Sequence, residues 1–249
     1  MAVLPHITGV GLTAFGRHDG STAPGLMARA AQAALDDAGI ARGQIDGLLC
    51  GYATTLPHLM LSTLMAEWLA LRPVYAHSVQ LGGATGAALL MLAGDLVRAG
   101  RCRQVLVLAG ENRLSGQARD SAIQTLAQVG DADMEVPNGA SVPAYYALMA
   151  SRYLQATGTT EADLAELAVL MRRHAQAHPG GQLRSPLTVA DVLVSKPIAT
   201  PLKLADCCPI SDGAAALVVS ADPGPGPHVV LRGAGQAHHH QHLSAMADV

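Results

Sequence analysis

The run Val79-Gln80-Leu81-Gly82-Gly83-Ala84-Thr85-Gly86-Ala87-Ala88 opens a helix whose chemistry lies in its backbone. Residues 84–99 read as one long apolar helix, uncharged until Asp95 and Arg98 and stopped by Gly100. Apolar on every side, such a helix is expected to be buried. Its small first turn lets a ligand approach the free amides, whose partial positive charge would stabilise a thiolate there. No cysteine stands at that place. Ser78 and Thr85 are the hydroxyls beside it, and each reads as a cap for backbone amides, since neither has a visible base as partner.

The other candidates are scattered. Cys50, Cys102, Cys207 and Cys208 show no CxxC spacing, so disulfides and a zinc ribbon are not expected. Cys50 lies in an apolar strand pattern. Cys102 sits between Arg101 and Arg103, which would lower its pKa, but at the far end of the helix from Gly83. Cys207 and Cys208 read as small hydrophobic packing, with Asp206 and Asp212 arguing against a reactive thiol. Asp212-Gly213 reads as a turn in which Asp bonds nearby backbone and Gly takes a positive φ. Tyr145 and Tyr146 either place a phenol over a pocket or pack against a sheet. Arg172, Arg173, His174, His178 and Arg184 form a basic cluster, either a solvated helix face or an electrostatic seat for phosphates. His238, His239, His240 and His242 invite a metal reading, yet without a carboxylate in reach they read as a polar tail. No metal or redox cofactor is expected.

The elements that must position these groups follow from composition and periodicity. Half of the 249 residues are hydrophobic and only 3% aromatic, so the core is built from Ala, Val and Leu, which suits helices lying close on a sheet. A net charge of −3 without a Lys/Arg stripe argues against nucleic-acid binding. The longest apolar run, 84–93, falls short of the roughly 20 residues of a membrane span. With no secretory leader read in the sequence, a cytoplasmic location is expected. Strands are expected at 6–13, 45–50, 74–79, 104–109 and 214–220, and helices at 22–38, 59–71 and 84–99. This alternation implies an α/β fold, a mainly parallel five-stranded sheet with helices on both faces. Residues 112–205 form a long excursion with helices at 142–155 and 161–177, the second capped by Thr159 or Thr160 with Asp163 behind. Residues 222–227, rich in Pro and Gly, read as a linker, and 228–235 as a further strand.

The helix start at 79–86, the segment from His174 to Ser195-Lys196, and above all Asp206-Cys207-Cys208-Pro209-Ile210-Ser211-Asp212-Gly213-Ala214-Ala215-Ala216 resemble the thiolase superfamily. Within it the likeness is to the sterol-carrier-protein-associated thiolases, often labelled lipid-transfer proteins. The resemblance implies a body of two related α/β halves. Residues 1–221 would be the N-terminal thiolase-like domain, with the excursion 112–205 inside it, and 228–249 the first strand and tail of an incomplete second domain. It also implies that the excursion helps bind coenzyme A, so that Arg172, Arg173, His174 and Arg184 become candidate cofactor-binding residues. In the family a cysteine at the buried helix start takes the acyl group. Gly83 falls at that position here, leaving Thr85 and Tyr145 as weak catalytic candidates. The family's histidine, second cysteine and oxyanion-hole asparagine would lie beyond residue 249. The implied function is acyl transfer or retro-aldol carbon–carbon cleavage on a coenzyme A thioester. The expected partners are a second copy in a homodimer, another thiolase-like chain, or a subunit bearing an OB-like fold and a zinc ribbon. The alternatives are a non-catalytic scaffold or acyl-CoA-binding subunit and a truncated, inactive thiolase.

Overall fold

A computed structural model describes residues 3–139 and 141–247. Residues 1, 2, 140, 248 and 249 of the domain ranges expected above lie outside the described residues. In chain order the elements are β1 (His6–Leu12), α1 (Ala23–Ala38), β2 (Gly47–Gly51), α2 (Leu61–Trp68), β3 (Tyr75–Val79), α3 (Thr85–Arg98), β4 (Gln104–Asn112) and α4 (Arg113–Gly116). There follow α5 (Arg119–Ala127), α6 (Val142–Thr157), α7 (Glu161–Ala177), α8 (Val189–Leu193), β5 (Pro197–Ala199), β6 (Leu202–Lys203), β7 (Asp212–Ser220) and β8 (Val229–Val230). They divide into two compact units, residues 3–117 with 211–237 and residues 118–210 with 238–247. No described helix is long and apolar enough to cross a membrane.

The first unit is a six-stranded sheet in the order β3-β2-β4-β7-β1-β8. β2 pairs in parallel with β3 and β4, while β7 runs antiparallel to both β4 and β1. Strands β1 to β4 therefore point one way, as a mainly parallel α/β sheet requires. Because the reversed β7 sits between two of them, however, its ladders are antiparallel. A short apolar run such as 214–220 carries no direction, which is why its sequence could not reveal this. The sixth strand is a correction to the expected five: Val229 pairs with Ile7, and Val230 with His6.

Alternation along the strands sends side chains to two faces. Leu48, Cys50, Leu106, Leu108, Ala216 and Val218 form one core with Leu26, Met27, Ala30 and Ala34 of α1 and with Leu61 and Met65 of α2. Leu49, Val105, Val107 and Val219 form the other with Leu89, Ala93, Leu96 and Val97 of α3. Helices thus cover both faces. α1 owes its place to its alanines and to β1, since a Cβ on Gly11 would meet the Ala30 carbonyl oxygen at 2.0 Å. Thr22 caps its start, with Pro24 in the first turn, and Gly39 ends it in the left-handed region.

Two helices differ from expectation. α2 covers 61–68 rather than 59–71, and Leu59 is fully exposed. α3 is not buried all round. Its buried residues Thr85, Leu89, Ala93, Leu96 and Val97 form one stripe, while Gly86 and Ala87 are exposed. Small Ala and Gly side chains make a face look apolar without compelling its burial.

In the second unit, α7 begins in a capping box in which Thr160 accepts from the Asp163 amide and the Asp163 carboxylate accepts from Thr160. Lys203 pairs with Glu161 of the same helix. Residues 238–247 lie in this unit, where the Ser244 amide donates to Glu135 at 2.7 Å.

Gly11→Ala should lower stability by about 3 kcal/mol through overpacking against the α1 backbone. Denaturant unfolding monitored by circular dichroism reads the shift in midpoint.

Candidate functional site

A pocket of about 360 Å³ opens in the first unit at the carboxyl ends of β2 and β4. Gly51 and Tyr52, Gly110 and Glu111, and Thr85 and Gly86 at the start of α3 line it, with Arg113, Phe15 and Gly213. The carboxyl ends of parallel strands, next to a helix N-terminus, are where open α/β sheets bind ligands. None of its lining residues carries sulfur.

Its charged groups form one network. The Glu111 carboxylate accepts from the Thr54 hydroxyl at 2.5 Å, from the Thr55 amide and hydroxyl at 3.2 Å, and from the Arg113 guanidinium at 3.2 Å. Arg113 also donates to the Thr54 hydroxyl at 3.0 Å. These two side chains are about one-fifth exposed, so the ion pair is shielded from bulk water yet reaches the pocket. Both oxygens of Glu111 are thus taken up by donors of the protein itself. Arg113 turns its Nε and one terminal nitrogen to Thr54 and Glu111, which leaves the other terminal nitrogen as the donor it can offer a developing oxyanion at the pocket wall. Sequence reasoning missed Thr54, Glu111 and Arg113. The available signal was a charged pair at the end of an apolar strand.

What fixes this wall is Asp212, wholly buried. Its carboxylate accepts from the amides of His18 at 2.9 Å, Leu114 at 2.7 Å and Ser115 at 3.1 Å. Its own amide donates to the Gly16 carbonyl at 2.7 Å. Burial pushes the carboxyl pKa up, but the hydrogen bonds from His18, Ser115 and Leu114 outweigh it and leave the value lowered. The expected local turn is thus a long-range tie. Gly213 is needed for space rather than for a positive φ, because a Cβ there would meet the Phe15 ring at 2.4 Å.

Around the helix start, Gly83 lies in a 3-10 turn, Gly82–Ala84, and is exposed, with open space where a Cβ would stand. The enclosed helix start expected from the sequence is therefore an open one within this chain. Thr85 donates to the Gly82 carbonyl at 2.8 Å and accepts from the Leu81 amide at 2.9 Å, locking that turn. Ser78 accepts from the Ser62 amide at 2.9 Å.

Other candidates lie in the second unit, which carries its own groove of about 800 Å³ between α6, α7 and residues 202–209. Arg172 reaches this groove and donates to the Ser185 carbonyl at 3.1 Å. Arg173 and His174 are exposed on α7 and do not line it, and Arg184 donates to the Gln176 carbonyl at 2.9 Å. Tyr146 lines the groove. Its neighbour Tyr145 instead has a buried hydroxyl without a hydrogen-bond partner among the described residues. Burial and then the Glu135 charge raise the Tyr145 pKa.

Three thiol expectations and one histidine expectation need correction. Cys102 is buried and its pKa is raised to about 11, by burial and then by the charge of Asp46, rather than lowered by the flanking arginines. Cys50 is the core residue its apolar strand pattern implied, with its pKa pushed to about 12 by burial. Cys207 is only half-buried and Cys208 is exposed, so neither is core packing. His242 has a carboxylate within 3.9 Å, that of Asp131.

No model of a known protein family matches the sequence. The chain is 33% identical over 216 residues to an acetyl-CoA acetyltransferase of Methanocaldococcus jannaschii, an alignment covering 86% of this chain and 54% of that protein. It is 31% identical over 252 residues to a steroid side-chain-cleaving aldolase of Thermomonospora curvata, covering 95% of this chain and 63% of that one. The solved structure of the Ltp2-ChsH2(DUF35) aldolase superposes with a TM-score of 0.82 at 30% identity, covering 96% of this chain and 62% of that chain. The chain spans about half to two-thirds of the length of these relatives.

Asp212→Asn should cost about 2–3 kcal/mol, since an amide donor would face amide donors in a buried site. With its folded pKa depressed, Asp212 contributes stability above its unfolded value of about 3.9 and loses it as pH falls through the folded value. Wild-type unfolding midpoints measured from pH 6 down to about pH 2 should fall more steeply than those of Asp212→Asn.

Proposed function

From the premise that this chain's relatives are thiolase-like and that it spans about their N-terminal half, we propose that it supplies the enolate-stabilising half of a carbon–carbon lyase acting on a coenzyme A thioester. The carrying observation is the first-unit pocket, where the start of α3 and the Arg113 guanidinium converge without any sulfur. Acyl transfer through an enzyme thioester needs a thiol at that place. Retro-aldol cleavage does not: a base removes the β-hydroxyl proton, the Cα–Cβ bond breaks, a ketone or aldehyde leaves, and the thioester enolate is protonated. Charge develops on the thioester oxygen, which the amides of the helix start and Arg113 are suited to hold. Glu111, anchored by Thr54 and Thr55, positions Arg113, so the base comes from outside these residues. Gly83 takes the place where a nucleophilic cysteine would stand.

The likeness to two aldolases, one solved as Ltp2-ChsH2(DUF35), supports this chemistry and supports a partner subunit for the reaction. The edge of β3, paired among the described residues only on its β2 side, supports a homodimer. In the second unit, Arg172 at the rim of an apolar groove supports a seat for the coenzyme A moiety, with Arg173, His174 and Arg184 as outer charges. One observation favours a second reading, an acyl-CoA-binding subunit without turnover: Thr85 and Glu111 already spend their hydrogen bonds inside the protein.

Purified together with the chains that accompany it, the protein should release a ketone or aldehyde from a β-hydroxyacyl-CoA. It should not thiolyse acetoacetyl-CoA, even as Gly83→Cys. Thiolysis would contradict the lyase reading, and tight thioester binding without any turnover would select the binding subunit. Arg113→Gln should lower the cleavage rate about 100-fold with a small change in KM. Arg172→Ala should weaken coenzyme A binding about tenfold at low salt and less at high salt, read by calorimetry.

A further inference from the structure

Two free cysteines, adjacent in sequence, line the second-unit groove. Cys207 is half-buried and Cys208 is exposed, and both line the groove together with the thioethers of Met149 and Met171. The remaining cysteines, Cys50 and Cys102, are buried in the other unit. Burial, and then the charges of Asp206 and Cys208, push the Cys207 pKa up.

The backbone decides what such a pair can bind. Cys207 and Cys208 are joined by a trans peptide, which sets their Cα atoms about 3.8 Å apart. An unstrained disulfide needs about 4.4 Å or more. Closing the pair on itself is therefore disfavoured, and the dithiol persists. An atom that bonds both sulfurs at longer range avoids that constraint, because the ring it closes is larger by one member.

We infer that Cys207 and Cys208 form a two-thiol site for trivalent arsenicals, with the organic substituent lying against the apolar groove beside Tyr146, Leu167 and Met171. The step is a condensation. Each thiol passes its proton to the arsenical oxygen, two As–S bonds replace the arsenic–oxygen bond, and one water leaves. Arsenic stays trivalent and no oxidant or reductant is consumed. The site does not depend on the lyase reading, since no residue of the first-unit pocket takes part.

The test uses phenylarsine oxide on the native protein, read by intact mass and by titration of accessible thiols. The wild type should gain one phenylarsenic group with loss of one water, and its two accessible thiols should disappear together. Chelation raises the effective concentration of the second thiol, so the adduct should resist excess monothiol about 100-fold better than adducts of Cys207→Ser or Cys208→Ser. A dithiol should strip it. Circular dichroism of the two near-isosteric variants reports that they fold, and alkylation of Cys50 and Cys102 only after denaturation reports that the core is intact. A wild-type adduct that monothiol removes as readily as from either variant, or one whose stoichiometry survives both substitutions, overturns the site.

Discussion

The buried carboxylate of Asp212 is the constraint on which the rest of the first unit depends. It draws the amides of His18, Leu114 and Ser115 onto one side chain, tying the loop after β1 and the start of α4 to the first residue of β7. A charged group inside a protein is costly unless its hydrogen-bonding capacity is met, and here three amide donors meet it. The same tie sets the position of Arg113, next in sequence to Leu114, and of Phe15, which closes on Gly213. The pocket wall and the fold are thus held by one contact.

That contact explains why the site can be open yet ordered. Gly82, Gly83 and Gly86 leave the mouth of α3 exposed, while Thr85 turns inward and fixes the 81–85 turn through its own hydroxyl. Around it, Glu111 binds Thr54, Thr55 and Arg113, so the donors facing the pocket are preorganised before anything enters. Small residues at the opening then serve access, and a reaction that accumulates charge on a thioester oxygen uses both features.

Much of this architecture was legible in the residues. The order of the sheet strands and of the helices α1, α2, α3, α6 and α7, the Thr160–Asp163 cap, Gly39 and Gly100 as stops, and both cores followed from periodicity and terminal residues, whereas α4, α5, α8, β5 and β6 did not. The reversed direction of β7 was not, because an apolar run has no polarity until its neighbours are known. The open outer face of α3 was hidden by alanine, which fits a buried or an exposed surface equally well. The site was legible only in part. Gly83 and Thr85 were visible as the helix mouth, but the Glu111–Arg113–Thr54 network joins residues nearly 60 apart, and Asp212 bonds amides almost 100 and 200 residues away. Local reading assigned Asp212 to its own turn for that reason, and placed Cys207 and Cys208 in a core that the groove replaces.

The central claim, that this pocket stabilises a thioester enolate without an acyl-enzyme, is tested most directly by incubating the purified complex with an acyl-CoA in deuterated water. Deuterium at the acyl α-carbon and the mass of the intact protein are then followed together. The account predicts α-deuteration that requires Arg113, with the protein mass unchanged by acylation. An acyl group covalently held on the protein, or α-exchange indifferent to Arg113→Gln, would contradict it.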